Sequence, residues 1–290
     1  VLVDHTAQGA GGELLPVLRR IRSELVQTRV VLGMRDIYDD PARAHAEFSR
    51  RGTSEAIANL YDHVLVYGQR GIAIEPASYG LPESVASRTS HVGAVVAPEA
   101  HRLRLQRGPG PLHILGTAGG GEDGYDLLRS VVAAVRGPMA GRDLRATVVA
   151  GPLLPPPQWE SLQRAAAGDD RIQLVRTTRA MHELMDHADL VIGMGGYNTV
   201  YETLARGLPM LVWPRVKPRR EQIERCTRLA ALGALVVMPH EAVQDPHAVS
   251  ALVEQAAEFR PNLDTLRFDG AAQAASECLA VHRPMSTAGK

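Results

Sequence analysis

Residues 189–213 confine this chain to a narrow set of folds. They run Asp189, an apolar stretch Leu190-Val191-Ile192-Gly193-Met194, the pair Gly195-Gly196, then Tyr197-Asn198-Thr199-Val200-Tyr201-Glu202-Thr203-Leu204-Ala205-Arg206-Gly207-Leu208-Pro209, and a second apolar stretch Met210-Leu211-Val212-Trp213. A short unbroken apolar run suits a strand buried on both faces of a parallel sheet. Gly195-Gly196 makes a tight turn where backbone comes close to a ligand. Val200, Leu204 and Ala205 put an apolar stripe on a helix that Asn198 or Thr199 caps and that Gly207 and Pro209 stop. A helix that starts behind a glycine turn presents unpaired N–H groups and the positive end of its dipole, which together attract an anion. Glu202, one turn in, is placed to accept hydrogen bonds from a vicinal diol such as ribose. The same spacing also suits a turn that only joins strand to helix.

The pattern recurs in both directions. Val1-Leu2-Val3 reads as a strand, followed by the loop Gln8-Gly9-Ala10-Gly11-Gly12 and a helix over Glu13–Leu25. Strands follow at Arg29–Gly33, Tyr61–Tyr67 and His91–Val96, with helices at Pro41–Arg51 and Ser54–Leu60. The polar, basic stretch Pro98–Pro111 reads as a linker, which sets an amino-terminal domain over 1–100 and a second over 101–290. Past it the series restarts: strand Leu112–Gly116, loop Thr117-Ala118-Gly119-Gly120-Gly121-Glu122-Asp123-Gly124, helix Tyr125–Val135. Three consecutive glycines suit close approach of backbone to a pyrophosphate. Strands at Arg145–Gly151, Arg171–Val175 and Ala234–Met238 and terminal helices over Ala248–Phe259 and Gly270–His282 complete it, with a frayed tail from Met285. This alternation predicts an α/β protein of two parallel-sheet domains facing a cleft, with about four strands before residue 97 and about six after it. Strand carboxyl ends face the ligand in such sheets, which puts Asp4, His5, Arg35 and Asp36 at one edge. Arg35 and Asp36 equally suit a solvated pair at a helix start.

Composition narrows the partners. Lys+Arg and Asp+Glu both number 32, a formal balance of zero that argues against a general nucleic-acid binder. Aromatics make up 4%, so the cores rest on Val, Leu, Ile and Ala. Cys226 and Cys278 lie far apart with no metal-binding spacing, which reads as ordinary thiols of a reducing cytoplasm and as no metal site. No apolar run approaches the length of a membrane span, and no signal peptide is expected.

The run Gly195-Gly196-Tyr197-Asn198-Thr199-Val200-Tyr201-Glu202, then Ala205-Arg206-Gly207-Leu208-Pro209 and Glu221-Gln222, resembles the donor-binding half of GT-B glycosyltransferases, the bacterial MurG-like group with a family 28-type C-terminal domain. Val31–Pro41 and Tyr79-Gly80-Leu81-Pro82 resemble a branch of predicted bacterial glycosyltransferases. The resemblance implies two Rossmann-like domains and an inverting, metal-independent transfer from a UDP- or dTDP-type sugar, with no cofactor beyond that co-substrate. It implies a donor site in which Glu202 holds the ribose, and Gly196, Tyr197, Asn198, Thr199, Gly119, Gly120 and Gly121 meet the diphosphate. Thr178 and Met181 line the base pocket, Glu221 and Gln222 contact the sugar, and Arg220 offsets phosphate charge. Such enzymes begin with a strand and glycine-rich loop that do not precede Val1, which implies an amino-terminal domain lacking its first part. Asp4, His5, Glu13 and Asp36 are then the candidate bases. The acceptor stays open among small molecules, polysaccharides and lipid-linked sugars, and the expected place is the cytoplasm, with peripheral contact at the inner membrane face. A nucleotide-sugar 2-epimerase, or a non-catalytic nucleotide-sugar-binding or activator protein, fits the same motifs.

Overall fold

The amino-terminal apolar runs become four parallel strands lying side by side in chain order, β1 (Leu2–Asp4), β2 (Val31–Arg35), β3 (His63–Tyr67) and β4 (Thr89–His91). In the computed structural model, which describes residues 1–101 and 110–282, helices α1 (Leu15–Glu24), α2 (Pro41–Arg51), α3 (Thr53–Leu60) and α4 (Glu83–Ala86) join them. Local chemistry sets these helices. Asp40 accepts from the Ala42 and Arg43 N–H groups ahead of Pro41, and Gly52, at φ 64°, ends α2. Leu18, Ile21, Phe48 and Ile57 pack with Leu32 and Val64 of the sheet into one core. The fourth strand lies earlier than the apolar run at 91–96. Thr89 pairs with Val64 and His91 with Val66, after which Gly93, at φ 86°, turns the chain out of the ladder.

The second sheet has six parallel strands in the order β10-β9-β8-β5-β6-β7. They are β5 (Leu112–Thr117), β6 (Leu144–Val149), β7 (Ile172–Val175), β8 (Leu190–Gly193), β9 (Met210–Val212) and β10 (Val236–Val237). Helices α5 (Tyr125–Arg136), α6 (Pro156–Ala166), α7 (Met181–His187), α8 (Tyr197–Ala205), α9 (Glu221–Ala231) and α10 (Pro246–Glu258) alternate with them. The chain winds outward from β5 through β6 to β7, then returns to the other side of β5 and winds through β8 to β10. The connections after β5 and β8 therefore part in opposite directions and leave a crevice at the carboxyl ends of those strands.

The chain divides into Val96–Thr265 and a unit formed by Val1–Val95 with the stretch from Leu266 on. A division at residue 100 assigns the whole carboxyl end to the second domain. The structure instead returns the last helix, α11 (Gly270–His282), to the first. Backbone bonds hold it there, Ala94 N–H to Arg267 O at 2.8 Å and Gly270 N–H to Ala94 O at 3.1 Å, and Ser90 Oγ donates to Glu277 Oε2 at 3.0 Å. Most of the predicted linker, residues 102–109, and the tail from Met285 lie outside the described residues.

Candidate functional site

Thr117 and Gly193 are paired across β5 and β8, so the two loops leave the sheet at the same level. Between them is a cavity of about 150 Å³. Gly119, Gly120, Gly121 and Asp123 line it from one loop, Met194, Gly196 and Thr199 from the other, with Arg215 and Gln222 also in its wall.

The turn after β8 is a backbone device. Gly195 has φ 82°, and Gly196 is the N-cap of α8 with no side-chain cap. Asn198 and Thr199 do not cap the helix, because it already starts at Tyr197. They sit within its first turn, whose N–H groups no cap side chain closes off. Arg225, 1% exposed, donates from Nη1 to Gly195 O at 3.0 Å and lies 5.5 Å from the Tyr197 ring. Tyr197 is buried against Tyr201, with ring centroids 4.8 Å apart, so it supports the turn from within. Asn198 is exposed, outside the cavity lining.

The three glycines after β5 divide their duties. Gly119, at φ 61°, has open space where a Cβ would stand. Gly120 is exposed, and its carbonyl accepts from Leu153 N–H at 2.8 Å. Gly121 is buried at φ 94°, and a Cβ there would lie 2.5 Å from Ala150 O, so this glycine answers to chain packing.

Arg215 joins the loops. Its Nη1 donates to Asp123 Oδ2 at 3.1 Å, its Nη2 to Glu221 Oε1 at 2.8 Å, and its backbone N–H to Gln222 Oε1 at 3.1 Å. Burial acts to lower its pKa, but the bonds to Asp123 and Glu221 outweigh that and hold the guanidinium charged. Arg215 Nε and Glu221 Oε2 are buried with no hydrogen-bond partner among the described residues. The sequence reading missed Arg215 and chose Arg220, which is the exposed N-cap of α9. The signal was Arg215's place just past β9, at a strand carboxyl end beside β8.

Glu202 lies on α8 beyond the cavity lining, with 17% of its side chain exposed. Burial raises its pKa, Glu99 adds to this, and His182 and Arg206 oppose it. Its nearest charged-group neighbour is His182 Nδ1, 3.8 Å from Oε2, and no described residue donates a hydrogen bond to the carboxylate. Thr178 Oγ1 accepts from Ala180 N–H at 2.9 Å, and Met181 opens α7, half-buried. Thus β7–α7 and α8 bring Thr178, Met181 and Glu202 to the same end of the sheet as the cavity.

Residues 120–277 match the glycosyltransferase family 28 C-terminal domain. The chain belongs to glycosyltransferase family 28. It is a glycosyltransferase, and its transfer uses a nucleotide sugar. No curated protein matches this family 28 chain. Among solved structures it is similar to MurG of Acinetobacter baumannii, at 17% identity and a TM-score of 0.55, over 92% of this chain and 70% of that one. It is also similar to the spinosyn rhamnosyltransferase SpnG complexed with thymidine diphosphate, at 20% identity and a TM-score of 0.53, over 97% and 68%. The S. aureus MnaA–UDP structure is similar too, at 12% identity and a TM-score of 0.62, over 97% and 73%. These likenesses establish the GT-B α/β fold.

In the first unit of the family 28 chain, the candidate bases separate. Asp36 is 0% exposed, with Oδ1 accepting from Ile37 N–H at 2.8 Å, so it faces no acceptor. Glu13 turns into its own loop and accepts from Gly11 N–H at 2.7 Å and Ala10 N–H at 3.0 Å. Its own backbone N–H first, then those of Gly11 and Ala10, hold its carboxyl below the usual glutamate range, which weakens it as a base. Asp4 is exposed at the end of β1. His5 lines a small cavity of about 20 Å³ with Gln8, Tyr38 and Arg51. It holds φ 63°, a conformation sparsely populated by residues other than glycine, and its ring centroid is 5.7 Å from that of Tyr38. Among the described residues, no three His, Cys, Asp or Glu side chains gather as a metal site, and no helix is long and apolar enough to cross a membrane.

Proposed function

We propose that this glycosyltransferase moves a sugar from a UDP- or dTDP-type donor to an acceptor hydroxyl, with inversion and without a metal or further cofactor. The donor diphosphate lies at the crevice between the β5 and β8 loops. Peptide N–H groups at Gly119, Gly120 and the first turn of α8, with the dipole of that helix, offset the charge that grows on the leaving diphosphate. Arg215 adds little net charge, since Asp123 and Glu221 already share it. Its Nε, on a residue of the cavity wall, and Oε2 of its partner Glu221 are an unmet donor and an unmet acceptor, a match for sugar hydroxyls, which both give and take. Gln222 stands with them, Arg220 lies at the rim, and Thr178 and Met181 flank the base.

Glu202 carries the assignment. A largely buried carboxylate that no described residue bonds is an acceptor held in reserve, and the pentose 3′-hydroxyl, joined by the 2′-hydroxyl in a UDP-type donor, satisfies it. In the single displacement, the acceptor oxygen attacks the anomeric carbon as the bond to the diphosphate breaks, which inverts that carbon. The hydroxyl proton passes to a base, and we assign that base to His5, with Asp4 as the second candidate. The acceptor is a small molecule, a polysaccharide or a lipid-linked sugar, the last reached from the cytoplasmic membrane face.

Glu202→Ala should weaken nucleoside diphosphate binding by about 1.5–3 kcal/mol, the range for hydrogen bonds to a charged group, read by calorimetry. Unchanged affinity in a folded variant removes the pentose assignment. Product analysis separates transfer from release of a free epimerised sugar, which would replace this reading with a 2-epimerase.

A further inference from the structure

Beside Glu202, on the preceding helix, stands a histidine that the mechanism above does not use. Arg206, 2% exposed, spreads its guanidinium over both helices. Its Nε donates to Asp186 Oδ1 at 2.8 Å, its Nη1 donates to the Glu202 backbone carbonyl at 2.9 Å, and its Nη2 lies 3.1 Å from His182 Nδ1. A guanidinium nitrogen has no acceptor lone pair. In that hydrogen bond His182 Nδ1 is the acceptor, which puts the ring N–H on Nε2. As an acceptor, Nδ1 cannot donate to Glu202 Oε2 at 3.8 Å, so the carboxylate keeps its lone pairs. The His182 side chain is 31% exposed, and no described residue bonds its Nε2. The fold thus holds a fixed N–H donor next to an unclaimed carboxylate acceptor.

The geometry points to His182 as a specificity-determining residue: with Glu202 it forms a donor–acceptor pair matched to the 2′,3′-diol of a ribonucleoside diphosphate, and it disfavours the 2′-deoxy pentose. The inference rests on the assignment of Glu202 to the pentose, and it narrows the UDP- or dTDP-type donor of that reading to the ribonucleotide type. A diol offers two O–H donors and two oxygen acceptors. The carboxylate takes the protons, and the imidazole N–H serves an oxygen the carboxylate cannot serve. Loss of the 2′-hydroxyl leaves one member of the pair unmet, and sites built to bond a hydroxyl reject analogues that lack it more strongly than apolar pockets reject a size change.

Calorimetric titration with UDP, ADP, GDP and CDP, each beside its 2′-deoxy counterpart, tests this. The wild type should favour the ribonucleotide by about tenfold or more in its best-bound pair, the effect of losing hydrogen bonds to a charged group. His182→Ala should cut that preference by about three- to tenfold, the effect of one neutral hydrogen bond, and leave deoxynucleotide affinity nearly unchanged. His182→Gln, whose amide N–H reaches the position of Nε2, should restore part of the preference. Should His182→Ala not fold, His182→Phe keeps the ring volume and makes the same test. An equal loss for both nucleotides, or a wild type that binds both alike, overturns the role of His182. Failure of Glu202→Gln to weaken ribonucleotide binding, or no binding by any of the nucleotides, instead removes the pentose site and this inference with it.

Discussion

Cys226 Sγ lies 2.6 Å from the point that a Cβ on Gly195 would occupy. The thiol is buried, and through it α9 packs onto the turn that follows β8. A methyl at 195 must displace that sulfur and also accept φ 82°. Gly195→Ala should cost about 2–5 kcal/mol, the sum of left-handed strain and overpacking, measured by urea unfolding. In the Cys226→Ala background the same substitution should lose only the strain. An equal cost in both backgrounds would show that the sulfur does not limit the turn.

Gly119 and Gly121 should respond differently to the same change. At 121 a Cβ meets the Ala150 carbonyl at 2.5 Å and the Leu154 nitrogen at 3.0 Å, both backbone atoms that cannot swing aside. Gly121→Ala should lower the melting temperature substantially. At 119 the space is open, so Gly119→Ala should cost about 1–2 kcal/mol of left-handed strain and weaken nucleotide binding more than it weakens the fold. Thermal melts with and without a nucleoside diphosphate make the comparison.

The raised pKa of Glu202 gives nucleotide binding an unusual acid limb. Burial is the main cause, so the folded value lies above the ordinary 4.5. In the proposed site the pentose is bound through the carboxylate, so affinity should begin to fall at a pH where an exposed glutamate is still fully ionised. Stability runs the other way. The native state holds this proton more tightly than the unfolded chain, so the group's contribution is fully present below 4.5 and is lost as pH rises through the folded pKa. Glu202→Gln should flatten both dependences. An acid limb that persists in that variant belongs to another group.

Two histidines of the first unit should make its stability sensitive to acid. Burial lowers the pKa of His63 from 6.5, with Arg88 acting the same way and Glu277 opposing it. Burial also lowers His91, with Arg70 acting the same way and Glu75 opposing. His63 Nε2 lies 3.0 Å from Ser90 Oγ, which donates to Glu277, so the neutral ring is the donor in this chain. A depressed folded pKa means stability that is complete above 6.5 and lost as pH falls through the folded values. Melting temperature should drop between pH 7 and pH 5, and His63→Gln should shallow that slope. A flat profile in the wild type would mean these rings ionise freely in the folded state.

Much of the strand–turn–helix unit at β8 and α8 was legible because glycine and apolar patterning are local signals. The strand, the glycine pair and the following helix fall within residues 190–205, and nothing distant is needed to see them. Other features depended on contacts that sequence spacing does not encode. Asp36 at a strand end reads the same whether it faces a ligand or bonds its own Ile37 N–H. Gly121 reads as a ligand glycine until Ala150 is found against it. Arg215 and His182 gain meaning only from partners on other elements, Asp123 and Glu221 for one and Arg206 for the other. The return of α11 is set by its bonds to Ser90 and Ala94, far away in the chain.

That return bears on how the polypeptide is made. The second unit is one unbroken stretch, Val96–Thr265, and every residue it needs exists once Thr265 has been added. The amino-terminal sheet, although synthesised earlier, must wait for α11 before its Ser90 and His63 side meets Glu277. Ribosomal order is thereby inverted, and the half translated later is the first to have all its parts. A ribosome stalled just short of α11 would carry a finished second lobe and an unsealed first one, and chaperone capture at that stage would be directed to the amino-terminal strands.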